Sequence, residues 1–236
     1  VAPSISITSG IFSSDPSAYL AEDCFVHKST DSSYPYIVTN TPPAETPIFV
    51  DEETSHDTSA ITDPETKTAI EAVIDNAKVE GVADAVDESA LVAGNVDADE
   101  VSAAKKVDVE IKVEVAVKSA DLSDESETKT LVFEAKPVAT IKVDGVEKAT
   151  GVPVPNSLLS GDITVKLPLP TGFAPKQIKH TSADGFEEYF ILNTAEEANL
   201  RGAKTFKIED VCAVFIITKF SKFELSGTVT YVEPSY

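Results

Sequence analysis

Between Val107 and Val117 every second residue is apolar: Val107, Val109, Ile111, Val113, Val115 and Val117 alternate with Asp108, Glu110, Lys112, Glu114 and the small Ala116. Successive side chains of a strand point to opposite faces, so the spacing predicts a long antiparallel strand with one face in a core and one in water. Asp144-Gly145 separates two strand-like runs in "ATIKVDGVEKAT", the dipeptide of a type I′ hairpin turn, whose two central residues need positive φ. "DITVKLPLP" alternates through Ile163, Val165, Leu167 and Leu169, and its prolines place it at an edge or a strand end. "VCAVFIIT", Val211 to Thr218, is apolar at both parities and predicts a central strand covered on both faces. "IKHTSADGFEEYF" reads as strand, Asp184-Gly185 turn and strand, with Ile178, Phe186 and Phe190 supplying core contacts. Strands at this spacing predict a β-sandwich over residues 106–236.

Upstream the pattern changes. Asp63-Pro64 is a helix-start signal, and Ala69, Ile70, Val73, Ile74 and Ala77 share one face at helical spacing, predicting an amphipathic helix of about three turns that Gly81 ends. "VADAVDESALVAG" adds a shorter helical stretch stopped by Gly94. The N-terminal segment reads as strand, helical turn opened by Asp15-Pro16, strand and strand. "TPPAETP", Thr41 to Pro47, holds three prolines in seven residues and predicts an extended connector. The expected parts are an N-terminal β segment (1–46), an acidic, partly helical connecting region (47–105) and the sandwich (106–236).

Charge narrows the function classes. Nineteen Lys and Arg stand against 40 Asp and Glu, a formal charge of −21, which repels phosphate backbones and anionic membrane surfaces. Nucleic acid is therefore not an expected partner, and no apolar run reaches the roughly 18 residues of a membrane-spanning helix. The apolar fraction of 42% is that of a folding chain rather than a disordered one. The sequence has no methionine, and its start lacks the basic and apolar regions of a signal peptide, as expected of a processed piece of a longer precursor or of a chain whose initiator was removed. Cys24 and Cys212 have no CxxC spacing; they are expected as two buried, reduced thiols, with a single bridge as the alternative.

"GIFSSDPSAYLAEDCF", through Gly10, Phe12, Ser13, Ser14, Asp15, Tyr19, Leu20 and Ala21, resembles a motif that closes coils of parallel β-helix in large, repetitive cell-surface proteins of Gram-positive, often gut-dwelling, bacteria. "ITVKLPLP", "IKHTSADGFEEYF" and "TFKIEDVCAVFIITKFSKFEL" look like an immunoglobulin-like sandwich module of the same proteins. Lys219 stands where that module often carries a histidine, so no role for such a histidine transfers. The resemblance implies a secreted, wall-attached or S-layer-associated protein whose modules serve as stalk, spacer or adhesin, with other modules of the same protein as partners. Host or cell-wall glycans, protein ligands and self-association are further partner classes, and more modules are expected beyond "TVTYVEPSY".

Candidate chemistry is sparse. His180, Ser182 and Asp184 are the residue types of a nucleophilic triad, but strand residues two apart lie about 6.5–7 Å from each other. A triad needs hydrogen bonds of about 2.6–3.2 Å, so adjacency does not make one, and no Gly-x-Ser-x-Gly elbow is present. No catalytic residue and no cofactor are assigned. Asp97, Asp99 and Glu100, and Asp121, Asp124, Glu125 and Glu127, supply oxygens of the kind calcium takes, without the spacing of a calcium loop; they are expected to be solvated acidic loops. Lys112, Lys142 and Lys166 lie near strands where an isopeptide crosslink to an Asn or Asp could form, although lysines in alternating strands usually face water.

Overall fold

The computed structural model describes residues 6–22, 24–28, 33–39, 46–123, 128–182, 185–193 and 204–227. The chain divides into two compact units, Val1–Thr46 and Pro47–Tyr236. In the first, β1 (Gly10–Phe12), β2 (Phe25–Lys28) and β3 (Tyr36–Thr39) form an antiparallel sheet in the order β1-β3-β2. The expected helical turn is a 3-10 turn at Ser17–Tyr19, held by Asp15, whose Oδ1 accepts from the Ser17 N–H at 2.9 Å.

The second unit opens with β4 (Ile48–Asp57), α1 (Pro64–Glu71), β5 (Lys78–Glu80), α2 (Val82–Ala85), α3 (Glu88–Ala93) and α4 (Ala98–Ala103). It continues with β6 (Val107–Asp121), β7 (Thr130–Val143), β8 (Val146–Pro153), β9 (Ile163–Pro168) and β10 (Gln177–Ser182). The last strands are β11 (Glu187–Leu192), β12 (Lys204–Glu209), β13 (Cys212–Ile217) and β14 (Ser221–Ser226). Eleven strands make one sheet in the order β4-β6-β7-β14-β10-β11-β12-β13-β9-β5, with β8 on β7. The pairs β4–β6 and β11–β12 are parallel. The protein is mainly β, and this sheet is nearly closed into a barrel.

Closure comes from side chains. Where β4 faces β5, Thr54 Oγ1 accepts from the Val79 N–H at 3.0 Å, and Glu52 accepts from the N–H groups of Gly81 and Ala83 at 2.8 Å each. His56 Nε2 lies 3.1 Å from the Ala77 carbonyl oxygen. Residues 52, 54 and 56 thus meet 81, 79 and 77 in antiparallel register, a ladder in which one rail is side chain. It satisfies main-chain groups that a bare sheet edge would leave open.

The alternation of β6 appears as expected: its odd-numbered valines and Ile111 are buried. They pack with Phe133, Phe190, Phe206 and Phe223, all essentially solvent-free, each worth about 1.5–3 kcal/mol of burial. The Asp144-Gly145 hairpin forms with φ of 49° and 79°, and β9 ends on Pro168. β13 is an interior strand between β12 and β9, buried except at Ile216.

Four expectations change. The stretch 47–105 is not a separate connector, because β4 pairs with β6 along ten residues and β5 with β9, and Ile70, Leu91 and Val92 join the same core. The helix at Pro64 stops at Glu71 and gives way to a 3-10 turn at Ile74–Asn76, so Val73 and Ala77 are not on a continuous helix. Gly81 starts α2 in the left-handed region, φ 90°, instead of ending α1. Phe186 is exposed, because it follows the β10–β11 turn, while Phe190 lies opposite Ile178 in the core.

Candidate functional site

Among the described residues, two places gather ionisable groups around a histidine. The first is a cleft of about 470 Å³ beside the β4–β5 seam, lined by Thr54, His56, Asp75, Lys78, Lys166, Glu209, Asp210 and Cys212. The seam pattern places His56 at the end of β4, and the tight β12–β13 turn delivers Cys212 opposite the 3-10 turn that carries Asp75. A histidine, a carboxylate and a thiol therefore line one cleft, the thiol coming from more than a hundred residues beyond the other two in sequence.

Their geometry is structural. The Cys212 thiol points to the Asn76 carbonyl oxygen at 3.8 Å, and His56 points to the Ala77 carbonyl, with its Nδ1 3.7 Å from Asp75 Oδ1. Burial pushes the Cys212 thiol pKa up and the Asp210 charge adds to it, the opposite of what an activated thiolate requires. Lys78 and Lys166 both bind the Glu80 carboxylate, at 2.6 and 3.0 Å, which lowers the pKa of Glu80 and raises that of Lys166. The cleft's cations and donors are thus engaged with the protein's own oxygens.

The second place is the β10–β11–β12 face around His180. Its side chain is 2% exposed, stacked on Phe223 with ring centroids 4.8 Å apart, and its Nδ1 is 3.5 Å from Glu188 Oε2. That is an ion-pair distance but longer than a good hydrogen bond. Glu188 also holds Lys204 at 2.7 Å. Burial lowers the His180 pKa below its ordinary value, and Glu188 opposes the shift without cancelling it.

Of the triad types, His180 and Ser182 lie on the same buried face of β10, and Asp184 lies outside the described residues. Ser182 Oγ donates to the Phe186 carbonyl at 3.3 Å, which fastens the turn. The acidic candidates are not gathered either. Asp97 caps α4 through the Asp99 N–H at 2.8 Å, Glu100 pairs with Lys148 at 3.0 Å, and Asp121 Oδ1 accepts from the Ser123 N–H at 3.3 Å. Asp124, Glu125 and Glu127 lie outside the described residues. Among the described residues no group of three or more His, Cys, Asp or Glu is placed to hold a metal ion, and no helix is long and apolar enough to cross a membrane.

Cys24 and Cys212 are both free thiols, the first half-buried and the second buried. The lysines weighed for a crosslink sit in ion pairs at the surface: Lys112 with Glu53, Lys142 with Glu110 and Lys166 with Glu80. Sequence reasoning missed the His56–Asp75–Cys212 cleft, for which no local motif exists. It also missed Glu188 and Lys204, whose relation to His180 follows from strand order. No protein-family model, no curated protein and no solved structure matches the chain.

Proposed function

We propose that this chain is a non-enzymatic structural or adhesive module of a secreted bacterial cell-surface protein, serving as stalk, spacer or adhesin. The observation that carries the reading is the use made of the reactive residue types. His56, Cys212, Ser182 and Glu52 are all turned toward main-chain groups, where they fasten turns and the seam. A strongly acidic surface fits a life among other extracellular modules, where it limits nonspecific association. In this reading residues 106–236 correspond to the immunoglobulin-like sandwich module that their sequence resembles, and residues 1–46 carry the β-helix-closing motif.

Antibody labelling of intact source cells, with and without protease shaving, tests the location. Surface label lost on shaving is the expected result, and label appearing only after lysis would overturn the reading. The alternative, a carbohydrate-binding module, draws on Tyr19 and Tyr34, each about half exposed on the first unit. Glycan-array binding that disappears when both are changed to Ala would favour it.

A further inference from the structure

We infer that the Pro47–Gly227 stretch carries tension along its strands, because its own chain enters and leaves so that a pull on the two ends loads its terminal strands in shear. The inference rests on the stalk-or-spacer reading for its purpose but on strand order alone for its mechanics. β4 runs parallel to β6, β7 runs antiparallel to β6, and β14 antiparallel to β7, so β4, β6 and β14 all point the same way. The chain enters at Ile48, opposite Val107 at the start of β6. It leaves after Ser226, opposite Thr130, which itself pairs with Asp121 at the end of β6.

Entry and exit are therefore separated by the full length of β6. Its fifteen residues span about 45–50 Å at roughly 3.3 Å each. Sideways, β4 and β14 are three strand spacings apart, about 14 Å at roughly 4.8 Å per spacing. The force vector thus lies mainly along the strands, and a twist of about 20–25° per strand lessens that ratio without reversing it. A pull in this direction strains the hydrogen bonds of a ladder together, whereas a pull across it breaks them one after another.

Both loaded strands are held on two sides. β4 is laddered to β6 from Ile48 to Asp57 and fastened on its other edge by Glu52, Thr54 and His56. β14 lies between β7 and β10, with Phe223 and Leu225 in the core. Its exit is secured by two further bonds, from the Lys176 N–H to the Ser226 carbonyl at 2.8 Å and from the Gly227 N–H to the Lys129 carbonyl at 3.2 Å.

Single-molecule pulling of the full chain in two directions tests this. In one, handles are attached at the chain termini; in the other, clickable residues replace Pro47 and Lys106, neighbours at the same end of the β4–β6 pair, so that the pull peels the two strands apart. The native thiols stay untouched, and with the Pro47 and Lys106 replacements present in both arms the folded protein is the same, so equilibrium stability drops out of the comparison. Forced unfolding reads the barrier in the pulled direction. The terminal pull is expected to release a contour length of about 550–600 Å, the extended length of Pro47 to Gly227 at roughly 3.3–3.6 Å per residue less the roughly 50 Å already spanned in the folded state. That release should need a force several-fold above the peeling force. Equal forces, or a stepwise low-force release beginning with β4 in the terminal pull, would overturn the inference. An intracellular location would sink the proposed function and leave these forces as they are.

Discussion

At the scale of single residues, His180 and Ser182, which looked reactive in the sequence, are held by burial and by the main chain, and His180 makes a measurable prediction. His180 is packed between Phe223 of β14 and the Glu188 carboxylate of β11, with Lys204 of β12 beyond, and Lys219 adds a further positive charge. Its folded pKa lies below the unfolded value of about 6.5. Below that value the unfolded chain takes up a proton that the folded one refuses, so stability is present above about 6.5 and falls with pH through the folded-state value. Denaturant titrations from about pH 7.5 to about pH 5 should show this loss. His180→Phe, which keeps a ring against Phe223, should flatten it, and an unchanged slope would exclude His180 as its source.

Val211 makes the opposite kind of case. It occupies the left-handed region at φ 57°, which a β-branched residue adopts only under strain, and its side chain is 59% exposed with little packing to offset that. Replacing it with Gly should stabilise the protein by about 1 kcal/mol, read as a higher urea midpoint at constant slope. A lower midpoint would mean that packing of the Val211 side chain outweighs the strain.

At the scale of elements, the seam between β4 and β5 shows how a sheet can close without a second backbone ladder. Thr54 both accepts from the Val79 N–H at 3.0 Å and directs its hydroxyl toward the Val79 carbonyl at 3.4 Å. Thr54→Val keeps the shape and removes both contacts, leaving part-buried main-chain groups unpaired. A loss of about 1–3 kcal/mol is expected. Hydrogen exchange at the Val79 amide should accelerate in the variant, and undiminished protection there would contradict the role given to the seam. The same ladder explains why β4 was overlooked in the sequence. "IFVDEETSHD" alternates correctly, but after Ile48 and Val50 its seam-facing positions are Glu52, Thr54 and His56, chosen for hydrogen bonds instead of for apolar burial.

At the scale of the molecule, charge and topology dominate. Surface ion pairs such as Lys112–Glu53 and Lys148–Glu100 contribute little individually, while a net charge of −21 is spread over the whole chain. Added salt weakens both, and the unbalanced repulsion is the larger effect. The melting temperature should therefore rise between about 0.01 M and about 0.5 M sodium chloride, over which the screening length shortens several-fold. A fall would show that the ion pairs matter more than the excess charge.

The sequence by itself determined the strands whose alternation is apolar against polar, the Asp144-Gly145 turn, the Asp-Pro starts and the mainly β class. Each of these follows from periodicity or from φ preferences confined to a few neighbouring residues. Strand geometry read from the sequence likewise implies that adjacency by itself does not bring residues two apart within a triad's hydrogen-bond distance. Only the tertiary structure decided that β4 belongs to the main sheet and that Phe186 is exposed while His180 is buried. Tertiary structure likewise brought His56, Asp75 and Cys212 to one cleft, and Glu188 to His180. These are matters of which strands lie side by side and in what direction, and the hydrogen bonds that fix them join residues far apart in the chain, leaving no local trace to read.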